Sequence, residues 1–132
     1  MPEIVKRSSR ASAPLEKERQ QEIRLALGAE ADLVLWRNAI HHGEDWDPRT
    51  GRASFIKAGL GVGSADLVGV LRMPSGIGRF FALEIKRVGQ KPSPEQLQWA
   101  ALVRRLGGFV AVVFGVDDSR AALARARSGA DE

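Results

Sequence analysis

The chain has 132 residues, of which 44% are hydrophobic and 27% charged, so it can form one packed domain but not two. It contains no cysteine, which excludes disulfides, thiolate zinc sites and thiol nucleophiles. The formal net charge is +4, and no apolar stretch is long enough to span a bilayer. We therefore expect a soluble cytoplasmic protein without a membrane partner.

The N-terminal region predicts a loose arm followed by a helix. Residues 1–13 are polar and basic, which is typical of a flexible arm. Pro14 in a first helical turn and Gly28 just past the last turn bracket a helix between them. We expect the folded domain to cover residues 14–128, with the arm outside it.

The middle of the chain predicts strands and one long loop. The composition of residues 39–52, which is rich in Gly, Pro, Asp and Arg, predicts the loop. A turn at residues 74–78 joins two apolar segments, so these two segments form a β-hairpin. The predicted strands cover residues 32–38, 53–57, 65–71 and 80–86.

The C-terminal part predicts a helix, a buried strand and a final helix. Ser93 is a suitable N-cap and Pro94 suits the first helical position. Residues 109–114 predict the strand and residues 119–127 the last helix. The apolar stripe of the first of these helices is expected to consist of Leu97, Ala101, Leu102 and Leu106. The element order α-β-β-β-β-α-β-α predicts one α/β domain with a mixed central β-sheet flanked by helices.

Three charged residues are expected to converge at one edge of this sheet. Strand alternation places Glu84 and Lys86 on one face of a strand that is otherwise fit for burial. A buried carboxylate without a partner is costly, so something must compensate Glu84. If the hairpin turn centres near residues 75–76, the pairing partner of Glu84 lies close to Asp66.

Two carboxylates and a lysine are what metal-dependent hydrolysis of a phosphodiester requires. Asp66 and Glu84 would hold Mg²⁺ or Mn²⁺, with the Ile85 carbonyl as a backbone ligand and no organic cofactor. Lys86 would orient a water molecule or offset charge on the phosphate. The glycines before Asp66 would let backbone approach a phosphate closely. The simpler interpretation, a Glu84–Lys86 ion pair on an exposed edge strand, is disfavoured by the apolar residues around Glu84.

The order of short motifs adds a family resemblance. From Glu16 to about Asp118 the chain resembles the VRR-NUC family, a branch of the PD-(D/E)xK nuclease superfamily. The matching pieces are Glu16-x-x-x-Gln20, Trp36-Arg37-Asn38, Gly61-x-Gly63-Ser64-Ala65-Asp66-Leu67, Leu83-Glu84-Ile85-Lys86-Arg87, Ser93-Pro94-Glu95-Gln96 and Gly107-Gly108.

The resemblance implies a restriction-endonuclease-like domain in which Asp66 and Glu84 bind metal and Lys86 is the catalytic lysine. It also implies that Gln96 lies near the site and that Glu16 reaches it from the first helix. Glu18 and Glu22 are alternatives to Glu16. Ala65 stands where the family usually has a proline.

The basic residues suit a nucleic-acid partner without proving one. Lysine and arginine number 20 against 16 acidic residues, with arginine preferred. Arginine holds phosphates at two points, but a GC-rich genome explains the same bias equally well. The candidate DNA-binding residues are the cations near the predicted active strands in sequence, namely Arg37, Arg52, Lys57, Arg87 and Lys91.

The function that the resemblance implies is a Mg²⁺- or Mn²⁺-dependent deoxyribonuclease. Small stand-alone members resemble Holliday-junction resolvases and are often carried by phages, so we expect a bacterial or phage-encoded endonuclease for branched DNA. Symmetric cutting of two strands would require a homodimer. Two alternatives remain, a nucleic-acid-binding module without catalysis and a nuclease subunit that cuts only with a partner protein.

Overall fold

The computed structural model describes residues 12–39 and 41–132, with side chains outside residues 12–15, 41–47 and 52–58. None of the described helices is long and apolar enough to cross a membrane. In chain order the elements are α1 (Ser12–Gly28), β1 (Leu33–Arg37), β2 (His41–Asp47), β3 (Arg52–Ala58), β4 (Leu67–Arg72), β5 (Gly78–Ile85), α2 (Pro94–Arg105), β6 (Phe109–Val113) and α3 (Val116–Arg127).

The main sheet of the described residues has four strands in the order β1-β4-β5-β6. β4 is antiparallel to both of its neighbours, whereas β6 is parallel to β5. The parallel pair is connected through α2, since parallel strands need a crossover. This arrangement confirms the predicted α/β class with a mixed central sheet flanked by helices.

Apolar side chains cover the two faces of the sheet unequally. The larger cluster joins α1 and α3 to one face and includes Ile23, Leu27, Phe81 and Leu123. The smaller cluster lies on the face covered by α2 and is built around Ala82, Ala100 and Val110, with Trp99 and Val103 packed against it. Strand alternation sends neighbouring residues of β5 to opposite clusters, so the sheet forms the middle layer of three.

The structure has a helical start and C-terminal contacts outside the predicted range of residues 14–128. Helix α1 begins at Ser12, so it includes two residues assigned to the arm; residues 1–11 lie outside the described residues. At the other end, the Val110 N–H donates to the Asp131 carbonyl at 3.1 Å. Glu132 also lies 3.4 Å from Arg104 as an ion pair. The domain therefore extends past residue 128, because these contacts attach the C-terminal residues to β6 and α2.

The segment predicted as a loop at residues 39–52 contains a strand instead. β2 pairs with β3 in an antiparallel ladder of seven residue pairs, from His41 opposite Ala58 to Asp47 opposite Arg52. The ladder satisfies the backbone N–H and C=O groups of residues that have low β-propensity. The composition of this segment does indicate a turn, but only around Gly51, which has a φ of 67° and lies between the two strands.

The predicted apolar stripe of α2 is wrong. Leu97, Leu102 and Leu106 are 56%, 46% and 76% exposed, and Ala101 is also exposed. The helix packs on the sheet through Ala100 and through Trp99 and Val103. Both stripes have helical spacing, so periodicity could not select one of them. The small Ala100 side chain lets the helix approach the sheet closely.

We predict that Gly69→Ala destabilises the fold by about 2 kcal/mol or more. A Cβ on Gly69 would overlap the Val34 carbonyl oxygen, so β1 and β4 would have to separate. Gly28→Ala is the control, because no atom lies within 4 Å of a Cβ at that position. Urea denaturation measures both variants, and equal midpoints for Gly69→Ala and wild type would contradict the prediction.

Candidate active site

The β4–β5 hairpin brings the two predicted carboxylates together. Leu67 is opposite Leu83 in the antiparallel register, so Asp66, one residue before β4, lies across from Glu84. Asp66 Oδ2 accepts a hydrogen bond from the Ile85 N–H at 2.8 Å. This bond fixes the Asp66 carboxylate beside the end of β5. The pairing follows from the turn position, as the sequence predicts.

Glu84 is a buried carboxyl group with a strongly altered proton affinity. It is only 6% exposed, on the sheet face that α2 covers. Burial raises the pKa of Glu84 to about 9, with further contributions from a hydrogen bond to Asp66 and from the Asp66 charge, while the Lys86 charge acts in the opposite direction. At neutral pH the metal-free pair therefore holds a proton on Glu84.

Lys86 lies at the end of β5, next to this pair. Its Nζ is 3.9 Å from Glu84 Oε1, and its side chain is 19% exposed. The backbone N–H of Lys86 donates to the Val113 carbonyl at 3.0 Å, which ties this residue to β6. Lys86 is therefore held within ion-pair distance of Glu84 and is the more exposed of the two side chains.

Gln96 contributes to the same cavity but is also committed to the start of α2. Its Oε1 accepts the Ser93 N–H at 2.8 Å, while Ser93 Oγ accepts the Gln96 N–H, which completes a capping box. Gln96 and Glu84 both line a cleft of about 330 Å³ between α2 and the sheet. Within the described part of the chain the Gln96 amide nitrogen has no hydrogen-bond partner, so it remains available as a donor.

Glu16 lies beside Lys86 without contacting the carboxylate pair. Its Oε1 is 3.2 Å from Arg87 Nε, an ion pair that lacks the alignment of a hydrogen bond. The Glu16 side chain is 49% exposed. Its two alternatives, Glu18 and Glu22, are exposed on α1. The reach of Glu16 into the site therefore stays a prediction, and its observed partner is Arg87.

The predicted DNA-binding cations occupy different surroundings. Arg37 ends β1, Arg87 is paired with Glu16, and Lys91 is exposed in the connection from β5 to α2. The backbones of Arg52 and Lys57 belong to β3, but their side chains lie outside the described residues.

The donor groups suit a hard divalent cation. Among the described residues no group of three or more His, Cys, Asp or Glu side chains could hold a metal ion. The candidate metal ligands are therefore Asp66, Glu84 and the backbone carbonyl of Ile85. Mg²⁺ is commonly held by one or two carboxylates, with water completing the coordination shell. Glu84 beside Asp66 keeps its proton in the absence of metal, and a divalent ion bound there would take the place of that proton.

Asn38 is a positioning residue that the sequence analysis did not select. Its side-chain amide donates to Ser64 Oγ at 2.8 Å and to the Ala65 carbonyl at 2.9 Å. It also accepts the Leu60 N–H at 3.2 Å, and its own N–H donates to the Asp66 carbonyl at 2.8 Å. These four bonds hold the segment before Asp66 against the end of β1. The sequence analysis included Asn38 only within the Trp36-Arg37-Asn38 motif and at the end of a predicted strand, without giving it a role.

The segment before Asp66 is also held by a close backbone contact with the start of α2. Gly63 has a φ of 84°, and a Cβ there would overlap the Glu95 carbonyl at the start of α2. The glycine run was expected to let backbone approach a phosphate. At Gly63 it lets the segment approach α2, which helps to place Asp66 and Gln96 around one cleft.

Comparison with known proteins adds no identification, because the sequence matches no protein-family model and no curated protein. The resemblance to the VRR-NUC family therefore stays a prediction. The activity has to be argued from the geometry of the carboxylate pair.

We predict that the metal-free protein loses stability as the pH rises from about 5 to about 9. Glu84 keeps its proton up to a pKa of about 9 in the folded chain, against 4.5 when exposed, so the folded state binds more protons between these values. Urea unfolding in the presence of EDTA should show this decline in wild type. Glu84→Gln should show a flatter profile, since its amide does not titrate.

Asp117→Asn is the control for this experiment, because Asp117 is an exposed carboxylate on α3. This variant should keep the wild-type pH profile. Identical profiles for wild type and Glu84→Gln would show that Glu84 is not the titrating group.

We predict that Asn38→Ala lowers the free energy of unfolding by about 1–3 kcal/mol, because it removes three side-chain hydrogen bonds, two of them partly buried. The Leu60 amide should also exchange its hydrogen faster, since it donates to Asn38. Ser75→Ala is the control, as its hydroxyl accepts only a long 3.4 Å bond in an exposed turn. Unchanged exchange at Leu60 in Asn38→Ala would refute the positioning role.

Proposed function

We propose that this chain is a Mg²⁺- or Mn²⁺-dependent nuclease that hydrolyses DNA phosphodiester bonds, with a restriction-endonuclease-like domain of the VRR-NUC type. The observation that carries the proposal is the buried Glu84 carboxyl joined to Asp66 at the end of the sheet, with Lys86 beside it. A fold gains no stability from two adjacent carboxyls in an apolar cleft, so a chemical use for the pair is the better explanation.

Asp66, Glu84 and the Ile85 carbonyl would hold the divalent ion, with water in the remaining positions. The ion supplies Lewis-acid activation of the phosphate and of a water molecule. The chain prepares this site in two ways. The Ile85 N–H fixes one Asp66 oxygen, and Glu84 would give up its proton to become a ligand for the cation.

Lys86 would donate a hydrogen bond to the attacking water or to a phosphate oxygen. Its position supports either role, because β6 fixes its backbone and Glu84 attracts its ammonium group. A cation held there offsets the charge that develops on the phosphate during attack. Gln96 would offer its amide nitrogen from the same cleft.

Branched DNA and a homodimer belong to the same proposal. An enzyme that cuts two strands of a junction symmetrically needs two active sites, which a two-fold dimer provides. The exposed leucines of α2 support this part, because Leu97, Leu102 and Leu106 give the described surface apolar area of the kind that homodimers bury.

We predict that Glu84→Gln and Asp66→Asn each reduce metal-dependent cleavage at least about a hundredfold, because each removes a metal ligand. Lys86→Ala should also slow cleavage while leaving metal binding intact. Asp117→Asn is the matched control and should cut as wild type does. The assay compares four-way junction, flap, linear duplex and single strand, with and without Mg²⁺.

The same assay separates the proposal from its alternatives. A binding module would bind DNA in a salt-sensitive manner without metal-dependent cleavage of any substrate. A partner-dependent subunit would cut only after a second protein is added. Cleavage by Glu84→Gln at the wild-type rate would show that Asp66, Glu84 and Lys86 do not form the active site.

A further inference from the structure

A second polar cleft lies between α1 and the end of β1. Its empty space, including the part open to solvent, is about 240 Å³, and it is lined by Lys17, Gln20, Gln21, Arg24, Arg37 and Leu67. Three of these six residues are cations, two are neutral amides and none is acidic. The lining therefore offers many hydrogen-bond donors and a concentrated positive charge.

The cleft arises from the way one helix crosses the sheet. Lys17, Gln21 and Arg24 are four and three residues apart, so they form one stripe along α1. Arg37 shares a strand face with Leu33 and Leu35, which pack into the core with α1. Strand alternation therefore directs Arg37 towards the helix, and the cations of the two elements meet.

These cations lack the carboxylate partners that other arginines of the chain have. Among the described residues no ion pair involves Lys17, Arg24 or Arg37, and Arg24 donates only to the Gln21 amide oxygen at 2.9 Å. By contrast, Arg127 pairs with Asp32 at 2.7 Å and Arg104 with Glu132 at 3.4 Å. Like charges that share a cleft repel one another, and a bound anion would relieve that repulsion.

The cleft opens at the same end of the sheet as the carboxylate pair. Arg37 is opposite Leu67 in the β1–β4 ladder, and Leu67 directly follows Asp66. The next residue after Arg37, Asn38, is bonded to the Asp66 carbonyl. An anion in this cleft would thus lie beside the segment that carries Asp66, on the sheet face that α1 covers, whereas Glu84 lies around the edge on the face that α2 covers.

We propose that this cleft binds a backbone phosphate of the nucleic acid, next to the phosphate that reaches Asp66 and Glu84. Arginine forks and amide N–H groups are the donors that phosphate diesters accept. The assignment rests on the proposed nuclease function and adds Lys17 and Arg24 to Arg37 as its binding residues. Helix α1 is then the element that positions the DNA strand.

The test measures DNA binding by the full chain in EDTA, so that it does not depend on cleavage. Arg24→Gln/Arg37→Gln should bind labelled duplex and junction several-fold more weakly than wild type. The slope of log affinity against log salt should become shallower by about 1 for the lost phosphate contact. Arg72→Gln/Arg105→Gln is the control, since it removes the same charge from exposed sites at the opposite end of the sheet.

Equal loss in both double variants would mean that only net charge matters and would overturn the proposal, as would no loss in either. Inorganic phosphate is titrated as a separate probe. If it binds wild type but Arg24→Gln/Arg37→Gln still binds DNA normally, the cleft holds a free anion and not a nucleic acid. Mn²⁺ titration of both double variants keeps the two proposals apart, because the carboxylate site should bind metal in each.

Discussion

The burial of Glu84 is the constraint around which this end of the sheet, with its pair of carboxyl groups, is organised. A carboxyl group at 6% exposure cannot stay ionised without compensation, and the chain offers it Asp66, a proton and a lysine 3.9 Å away. None of these three stabilises the ionised form of Glu84 as well as water would. The metal-free site is therefore in a state of reduced stability at neutral and alkaline pH, which binding of a divalent cation would reverse.

Keeping this pair together requires contacts from every surrounding element. The β4–β5 register sets Asp66 opposite Glu84, and the Ile85 N–H fixes the carboxylate. Asn38 holds the preceding segment to β1, while Gly63 allows it to press against the start of α2. Neither carboxyl group has the hydration that water would give it, so these hydrogen bonds offset part of the cost of placing Glu84 beside Asp66. This explains why polar contacts are concentrated around a short segment at the edge of a largely apolar sheet.

The sequence predicts those features of the fold that depend on a local pattern of residues. It does not predict features for which two patterns in the same segment are equally suitable. The turn at residues 74–78 sets the hairpin register, and with it the meeting of Asp66 and Glu84. Ser93 and Pro94 locate the start of α2. The buried face of α2 could not be predicted, because two sets of apolar residues on this helix have helical spacing. One set is buried and consists of Trp99, Ala100 and Val103, and the other contains the exposed leucines. Strand β2 was missed since its stability comes from its ladder with β3 and not from its composition.

The pairing of charges could not be predicted from the sequence either, because a net charge of +4 does not say which lysines and arginines lack a carboxylate partner. The structure divides them: Arg127, Arg104 and Arg87 are paired with carboxylates, whereas Lys17, Arg24 and Arg37 share a cleft without one. A GC-rich genome explains an excess of arginine over lysine, but it does not explain why unpaired cations from a helix and a strand converge beside Asp66. Their convergence is a property of the fold, and it is the observation on which the proposed phosphate contact along α1 rests.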